Sequence, residues 1–309
     1  MQWHSPYPLA MSMRSRYRVF ATLAVLTCFC VWLDCAGTTA PPTRKAKLHI
    51  DFLNVGHGDA TLITSPTGKT VLIDGGLEEA GAGIVSFLRS KKACPLDMIL
   101  LTHRHADHLG GLVQVIESCG ARLYLDAPYP HESSIYAKLL RVLESRQIPV
   151  RQAERGRIIE LGDGARLLLL GPPTPAIKGA DSDVNANSVV SRLDYGKGSV
   201  LFAADAEELA ESWLLESHAN LRATVLKVGH HGSRHSSTLR FLKAVMPMAA
   251  IVSTEAGDTK HPHPETLERL AQVGARVFRT DLDGSIAVEM NGTSTTVHSG
   301  ARMEVFKTP

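Results

Sequence analysis

The stretch from Met98 to Gly111 limits what this chain can fold into more than any other. Met98-Ile99-Leu100-Leu101 is a short, wholly apolar run. It passes without a spacer into Thr102-His103-Arg104-His105-Ala106-Asp107-His108-Leu109-Gly110-Gly111. Such a run reads as a buried strand, and the polar cluster then falls at its end, where connecting loops carry sites. His103 and His105 are two apart, so extended backbone projects both imidazoles to one side. Asp107 and His108 stand where the chain turns into the next helix, and point at a second position nearby. Imidazole and carboxylate are donors that Zn²⁺ takes. Four such groups in six residues exceed one closed structural site and suit two ions sharing a pocket. The competing reading, a solvated polar turn, gives no reason for three histidines and an aspartate in this order. The glycines that follow let backbone pack closely against the loop.

Strand-like runs flank this segment. Leu48-His49-Ile50-Asp51-Phe52 alternates, and Ala60–Thr64 and Thr70–Ile73 follow, separated by the turn Pro66-Thr67-Gly68. Ile84–Lys91 and Leu109–Ser118 read as helices and Arg122–Leu125 as a strand. Ser133–Ser145 is an amphipathic helix with Ile135, Leu139, Val142 and Leu143 at helical offsets. Leu167–Leu170 is a strand. The Pro-, Gly-, Asp- and Asn-rich stretch Gly171–Asn187 is a long loop, of a length more often functional than accidental. The second half has strands at Val189–Leu193, Val200–Ala203, Thr224–Val228 and Ala249–Ser253, with helices Glu207–Glu216, Thr238–Ala244 and Pro264–Val273. Strands near Val277 and at Ile286–Glu289 close the chain. No linker separates the halves, so residues 47–309 read as one α/β domain of two packed mixed sheets with outer helices.

Other motifs accompany the first. They are Asn54-Val55-Gly56-His57-Gly58-Asp59-Ala60, Ile73-Asp74-Gly75-Gly76, Asn185-Ala186-Asn187-Ser188, Ala204-Asp205 and Lys227-Val228-Gly229-His230-His231-Gly232-Ser233, then His261-Pro262-His263-Pro264 and Thr280-Asp281-Leu282-Asp283-Gly284. His103-x-His105-x-Asp107-His108 with Ile73-Asp74-Gly75-Gly76 resembles the metallo-β-lactamase superfamily. The whole set, in register over nearly all of the chain beyond its N-terminal segment, resembles the hydrolase domain of ComEC-type competence proteins and its stand-alone secreted relatives.

The resemblance implies a metallo-β-lactamase-like αββα sandwich holding two divalent metal ions, zinc first and manganese as the alternative. It implies His103, His105, Asp107, His108, Asp205 and His231 as metal ligands, with Asp205 bridging. Asp74 would orient a ligand histidine, or else be a turn aspartate; Asp205 would otherwise merely start a helix. His230 is then free to donate to an oxygen or protonate a leaving group, although His230 and His231 are interchangeable at this level. Asp107 and Asp205 would hold a hydroxide shared by the ions. Asp59, His57, Asn187 and His263 fall to supporting or substrate-binding positions, and His261 and His263 read equally as surface loop residues. Two positions depart from the competence pattern: His105 stands where Asp is common, and His57 where Gln is common. The third motif, where many members place a histidine, offers only Asn185, Asn187 and Ser188.

The expected function is therefore an exported phosphodiesterase acting on nucleic acid or a cell-envelope phosphoester polymer. Lactone or amide opening is the alternative hydrolase reading, and a non-catalytic surface binding module is the third. Charge bears on the substrate. The chain carries a formal +2, and without its first 37 residues it loses Arg14, Arg16, Arg18 and Asp34 and becomes neutral. A constitutive polyanion binder usually needs a basic excess. Arg104, Lys227, Arg234, Arg240 and Lys243 form either a local phosphate patch or a solvated face.

The N-terminus has the layout of a secretory signal: those three arginines, then Val19 to Leu33, apolar apart from Thr22 and Thr27. The run is shorter than the ~20 residues that cross a bilayer comfortably. Residues 1–37 are expected to be a signal and 38–46 a linker, with lipid attachment at Cys35 a weaker alternative. Cys28, Cys30 and Cys35 fall in this segment, and Cys94 and Cys119 are expected to be buried and unpaired.

Overall fold

A computed structural model describes residues 46–307; the expected signal and nearly all of the expected linker lie outside the described residues. Strands β1 (Leu48–Phe52), β2 (Thr61–Thr64), β3 (Thr70–Ile73), β4 (Met98–Leu100), β5 (Tyr124–Asp126) and β6 (Val150–Gln152) begin one sheet. Strands β7 (Ile158–Gly162), β8 (Ala165–Leu169), β9 (Ser191–Tyr195), β10 (Gly198–Phe202), β11 (Val225–Lys227), β12 (Ala249–Val252) and β13 (Arg276–Arg279) make a second. The chain then returns to the first sheet with β14 (Ile286–Met290), β15 (Ser294–Ser299) and β16 (Arg302–Lys307). The nine-stranded sheet runs β16-β15-β14-β1-β2-β3-β4-β5-β6, and the seven-stranded one runs β13-β12-β11-β10-β9-β8-β7. Both are mixed, with β3 to β6 parallel in the first and β10 to β13 parallel in the second.

Side-chain alternation sorts the apolar residues into three layers of core. Ile50, Phe52, Val71 and Ile73 of the first sheet meet Val200, Phe202, Val225 and Ile251 of the second, and the Phe52 and Phe202 rings lie 6.0 Å apart. The outward residues of the first sheet, Leu62, Leu72 and Ile99, pack under helices Gly81–Ser90, Leu112–Ser118 and Ser134–Ser145. Those of the second, Leu201, Leu226 and Ala250, pack under Glu208–Glu216, Leu239–Val245 and Pro264–Gln272. The result is the αββα sandwich expected from the sequence. Each fully buried Leu, Ile or Phe contributes roughly 1.5–3 kcal/mol of transfer free energy.

Several elements differ from expectation. The chain does not close at Ile286–Glu289: β15 and β16 extend the sheet. Thr295, Val297 and Ser299 are the buried positions of β15, so two of its three inward residues are polar and the apolar alternation is masked. β6 is exposed throughout, which also hides it from a hydrophobicity reading. The helix expected over Leu109–Ser118 breaks at Gly110-Gly111 into a turn, Ala106–Leu109, and a helix, Leu112–Ser118. Cys94 and Cys119, expected to be unpaired, form a disulfide. Each lies just before one of the adjacent parallel strands β4 and β5, and the Leu96–Ala121 bridge brings those entries side by side.

Candidate metal centre

The polar motifs gather because they occupy the same end of like-directed strands. His57 and Asp59 follow β1, Asp74 follows β3, and Thr102 to His108 follow β4. Asp205 follows β10, His230 and His231 follow β11, and Ser253 and the segment to His261 follow β12. In open α/β sheets this carboxyl end is where sites form, because the connections leave the sheet there with their side chains converging. The backbone meshes tightly: Asp59 N–H donates to Asp107 O, Gly75 N–H to His108 O and Gly111 N–H to Gly76 O. A methyl group on Gly111 would stand 2.3 Å from the Gly75 oxygen, so only glycine permits this approach.

Two groups of potential ligands share one carboxylate. His103, His105 and Asp205 form the first; Asp107, His108, Asp205 and His231 form the second. In the first, His103 Nε2 lies 3.1 Å from His105 Nδ1 and 3.5 Å from Asp205 Oδ2. In the second, His108 Nε2 lies 3.3 Å from Asp205 Oδ1, and His231 Nε2 lies 3.3 Å from Asp107 Oδ2. The donor atoms of each group all lie within 4.8 Å of one another, close enough to share a cation.

Hydrogen bonding sets which nitrogen of each imidazole faces inward. The Asp74 carboxylate accepts from Thr102 N (2.8 Å), Thr102 Oγ1 (2.7 Å) and His108 Nδ1 (2.8 Å). With its proton given to Asp74, the Thr102 hydroxyl accepts from His103 Nδ1 at 3.1 Å. His231 Nδ1 donates to the Ser253 carbonyl at 3.1 Å. In all three rings a proton is held on Nδ1 and Nε2 is turned toward the cluster, the orientation typical of ligating histidines. His108 Nε2, His231 Nε2 and Asp205 Oδ1 are buried with no hydrogen-bond partner. Each such orphan costs about 1–3 kcal/mol, and cations bound between them would answer all three.

Charge tells the same story. Burial, with His108 next, drives the His103 imidazole well below its ordinary value, so it stays neutral. Burial also opposes a charge on His108, but Asp205, Asp107 and Asp74 outweigh it and hold that ring well above its ordinary value. Asp107 and Asp205 stay ionised against burial because the surrounding histidines, His108 first, favour their charge. Carboxylates crowded this closely call for a compensating cation.

The structure places His230 and His231, left interchangeable by the sequence, in different surroundings. His231 is wholly buried in the second ligand group. His230 Nδ1 donates to Glu207 Oε1 at 2.8 Å, while Nε2 lies 3.8 Å from Asp205 Oδ2 and 3.5 Å from Asn185 Nδ2. Asp74, Ala204, His230 and His231 all adopt positive φ without being glycine. Such strain collects at sites where the surroundings over-determine a geometry.

Other expected residues take different places. The Asn187 side chain is consumed by Ile177 N, Ile177 O and Asp183 O, so it ties the 171–187 loop together, and Asn185 is the one that faces His230. His263 caps the helix Pro264–Gln272. Asp59 holds the buried Lys227 at 2.8 Å, with its other oxygen 3.7 Å from His231 Nδ1. Arg104 pairs with Asp126 at 2.7 Å and stacks on Tyr136, and Arg234 pairs with Glu265 at 2.8 Å. Of the basic residues read together in sequence, burial and acidic partners neutralise Arg104 and Lys227, Arg234 is paired, and Arg240 and Lys243 are exposed. Sequence reading passed over Glu207, Thr102 and Asp258. The Asp205-x-Glu207 and Asp258-x-x-His261 spacings were the available signals.

An αββα sandwich that collects two carboxylate-linked His/Asp groups at its strand ends defines a class of metal-binding proteins. This chain belongs to the metallo-beta-lactamase superfamily, which matches residues 53–256. It is 27% identical to ComE operon protein 3 of Bacillus subtilis over 79% of this chain and 33% of that protein. It is 28% identical to competence protein ComA of Neisseria gonorrhoeae over 80% and 33%. The chain thus spans about a third of the length of these relatives. The metallo-beta-lactamase fold protein YhfI of Bacillus subtilis superposes with a TM-score of 0.51 at 14% identity, over 77% of this chain and 98% of that one.

Proposed function

We propose that this chain is an exported hydrolase that uses two divalent metal ions, zinc or manganese, to cleave phosphodiesters of nucleic acid or of a cell-envelope polymer. The observation that carries the reading is the shared Asp205 between two ligand groups whose buried donor atoms have no partner within the protein. His103, His105 and Asp205 would hold one ion, and Asp107, His108, Asp205 and His231 the other. Such a pair, when bound, makes hydroxide available at neutral pH and stabilises charge on the ester oxygens.

The chain's own residues supply the rest. Asp107 is the ligand-group carboxylate with an exposed edge, 19% accessible against 2% for Asp205, so it faces entering water and substrate. Glu207 fixes the His230 ring and favours a proton on it; burial opposes that proton, yet Glu207 and Asp205 raise the ring above its ordinary value. His230 Nε2 can then donate to the departing oxygen, with the Asn185 amide beside it as a second donor. No nucleophilic side chain is required. Beside Asn187 opens a cleft of about 720 Å³ lined by Pro128, Tyr129, Pro130, Arg155 and Lys178, wide enough for the remainder of an extended substrate.

The nucleic-acid half of this reading rests on the likeness to competence proteins, of whose length the chain spans about a third. The pairing of Arg104 and Lys227 with acids favours short or flexible phosphoesters over long duplex. Export is supported by the arginine-then-apolar N-terminus and by the Cys94–Cys119 bridge, which suits an oxidising compartment. The test is hydrolysis of bis(p-nitrophenyl) phosphate with zinc or manganese, beside a variant carrying Asp107→Ala and His108→Ala. Turnover abolished in the variant supports the phosphodiesterase. Absence of turnover in metal-loaded protein refutes it and moves the reading to lactones and amides.

A further inference from the structure

We propose that His57, Asp258 and His261 form a third divalent transition-metal site on the rim of the two-ion centre. None of the three belongs to either ligand group above, and their donor atoms lie within 4.8 Å of one another. Asp258 Oδ2 is 3.1 Å from His261 Nδ1 and 3.5 Å from His57 Nδ1. Tetrahedral donors about 2.0–2.1 Å from a zinc ion stand about 3.3–3.4 Å apart, so a single ion spans these gaps with little movement.

The local backbone pre-orients the carboxylate. Lys260 N–H and His261 N–H donate to Asp258 Oδ1 at 2.7 and 3.1 Å, which leaves Oδ2 aimed at the two rings. Two imidazoles and one carboxylate form the three-ligand set of an open, exchangeable zinc site rather than a closed structural one. The side chains of His57, Asp258 and His261 are 29%, 12% and 18% exposed, so an ion has a route in and solvent can complete its shell.

The site adjoins the main centre through His57, whose ring is 4.7 Å from that of His231. An ion on His57 Nδ1 obliges the ring to carry its proton on Nε2, 3.5 Å from Asp107 Oδ2. Filling the rim site therefore adds a donor to the exposed edge of Asp107.

The experiment is zinc stoichiometry of the full chain, by elemental analysis after equilibrium dialysis across a range of free zinc. Wild type, His261→Ala and Asp258→Asn are compared. The expected result is a last, weaker equivalent in wild type that both variants lack, while their other equivalents and near-ultraviolet circular dichroism are unchanged. The proposal is overturned if wild type shows no such equivalent. It is equally overturned if the equivalent survives in both variants, which would place it elsewhere, for instance at the half-buried His49–Glu289–His298 cluster.

Discussion

Replacing Asp74 by Asn should disarm both halves of the centre without touching either directly. One carboxylate receives three donors from Thr102 and His108. An amide of the same shape has one acceptor oxygen and one donor nitrogen. If its oxygen keeps the Thr102 N–H, the new NH₂ faces the Thr102 hydroxyl and His108 Nδ1. His108 must then accept at Nδ1 and carry its proton on Nε2, the atom that faces Asp205. The Thr102 hydroxyl, no longer able to donate to residue 74, turns its proton to His103 Nδ1, 3.1 Å away, and that ring switches too. Loss of one orienting partner of a ligating histidine costs about 10–100-fold in metal affinity, or about 1.4–2.7 kcal/mol per ion. Competition for zinc against a chromophoric chelator should show both tight equivalents weakened by that factor, with the fold retained by circular dichroism. Unchanged affinities would refute the tautomer argument outright. Weakening of a single ion would retain the Asp74–His108 link and reject the relay through Thr102.

Three further outcomes are expected. Burial pushes the Glu211 carboxyl from 4.5 up to about 7 against the pull of its backbone donors from Ser237 and Thr238. The folded state thus keeps a proton that the unfolded chain releases, and stability present below about pH 4.5 is lost as pH rises toward 7, by roughly 3 kcal/mol. Denaturant melts from pH 5 to 8 should show Glu211→Gln gaining on wild type across that window; a difference independent of pH would show that the carboxyl titrates alike in both states. The Cys94–Cys119 bridge closes a 25-residue separation, worth about 3.5 kcal/mol by loop entropy, so Cys94→Ser with Cys119→Ser should lower the denaturation midpoint with the m-value little changed. If the proposed chemistry holds, His230→Gln should cut phosphodiester turnover by about 10²–10⁴-fold at unchanged bound metal; concurrent metal loss would instead make His230 a ligand.

Much of the centre was legible in one dimension because its strongest motif is local. His103, His105, Asp107 and His108 lie within six residues, and strand period and turn position alone separate them into two directions. The apolar alternation of β1 and the uniform apolar runs of β4, β10 and β12 likewise announce buried strands, and with interleaved helices they imply the four-layer sandwich. What the residues determined by themselves was therefore the His/Asp cluster of 103–108 and a pair of packed sheets with outer helices, since both rest on short-range periodicity and residue chemistry, whereas Asp205 and His231 entered only through the family resemblance. Tertiary structure decided everything that depends on which strand ends meet. It placed Asp205 between the two ligand groups, turned Asn185 rather than Asn187 toward His230, and gave Arg104 and Lys227 acidic partners 22 and 168 residues away. It also paired Cys94 with Cys119 and brought His57 to Asp258. Such contacts are set by the parallel neighbours β3–β4–β5 and β10–β11–β12 and by the packing of one sheet on the other. No local pattern encodes them, because the energy that selects them is burial of the shared core rather than any preference of the residues that meet.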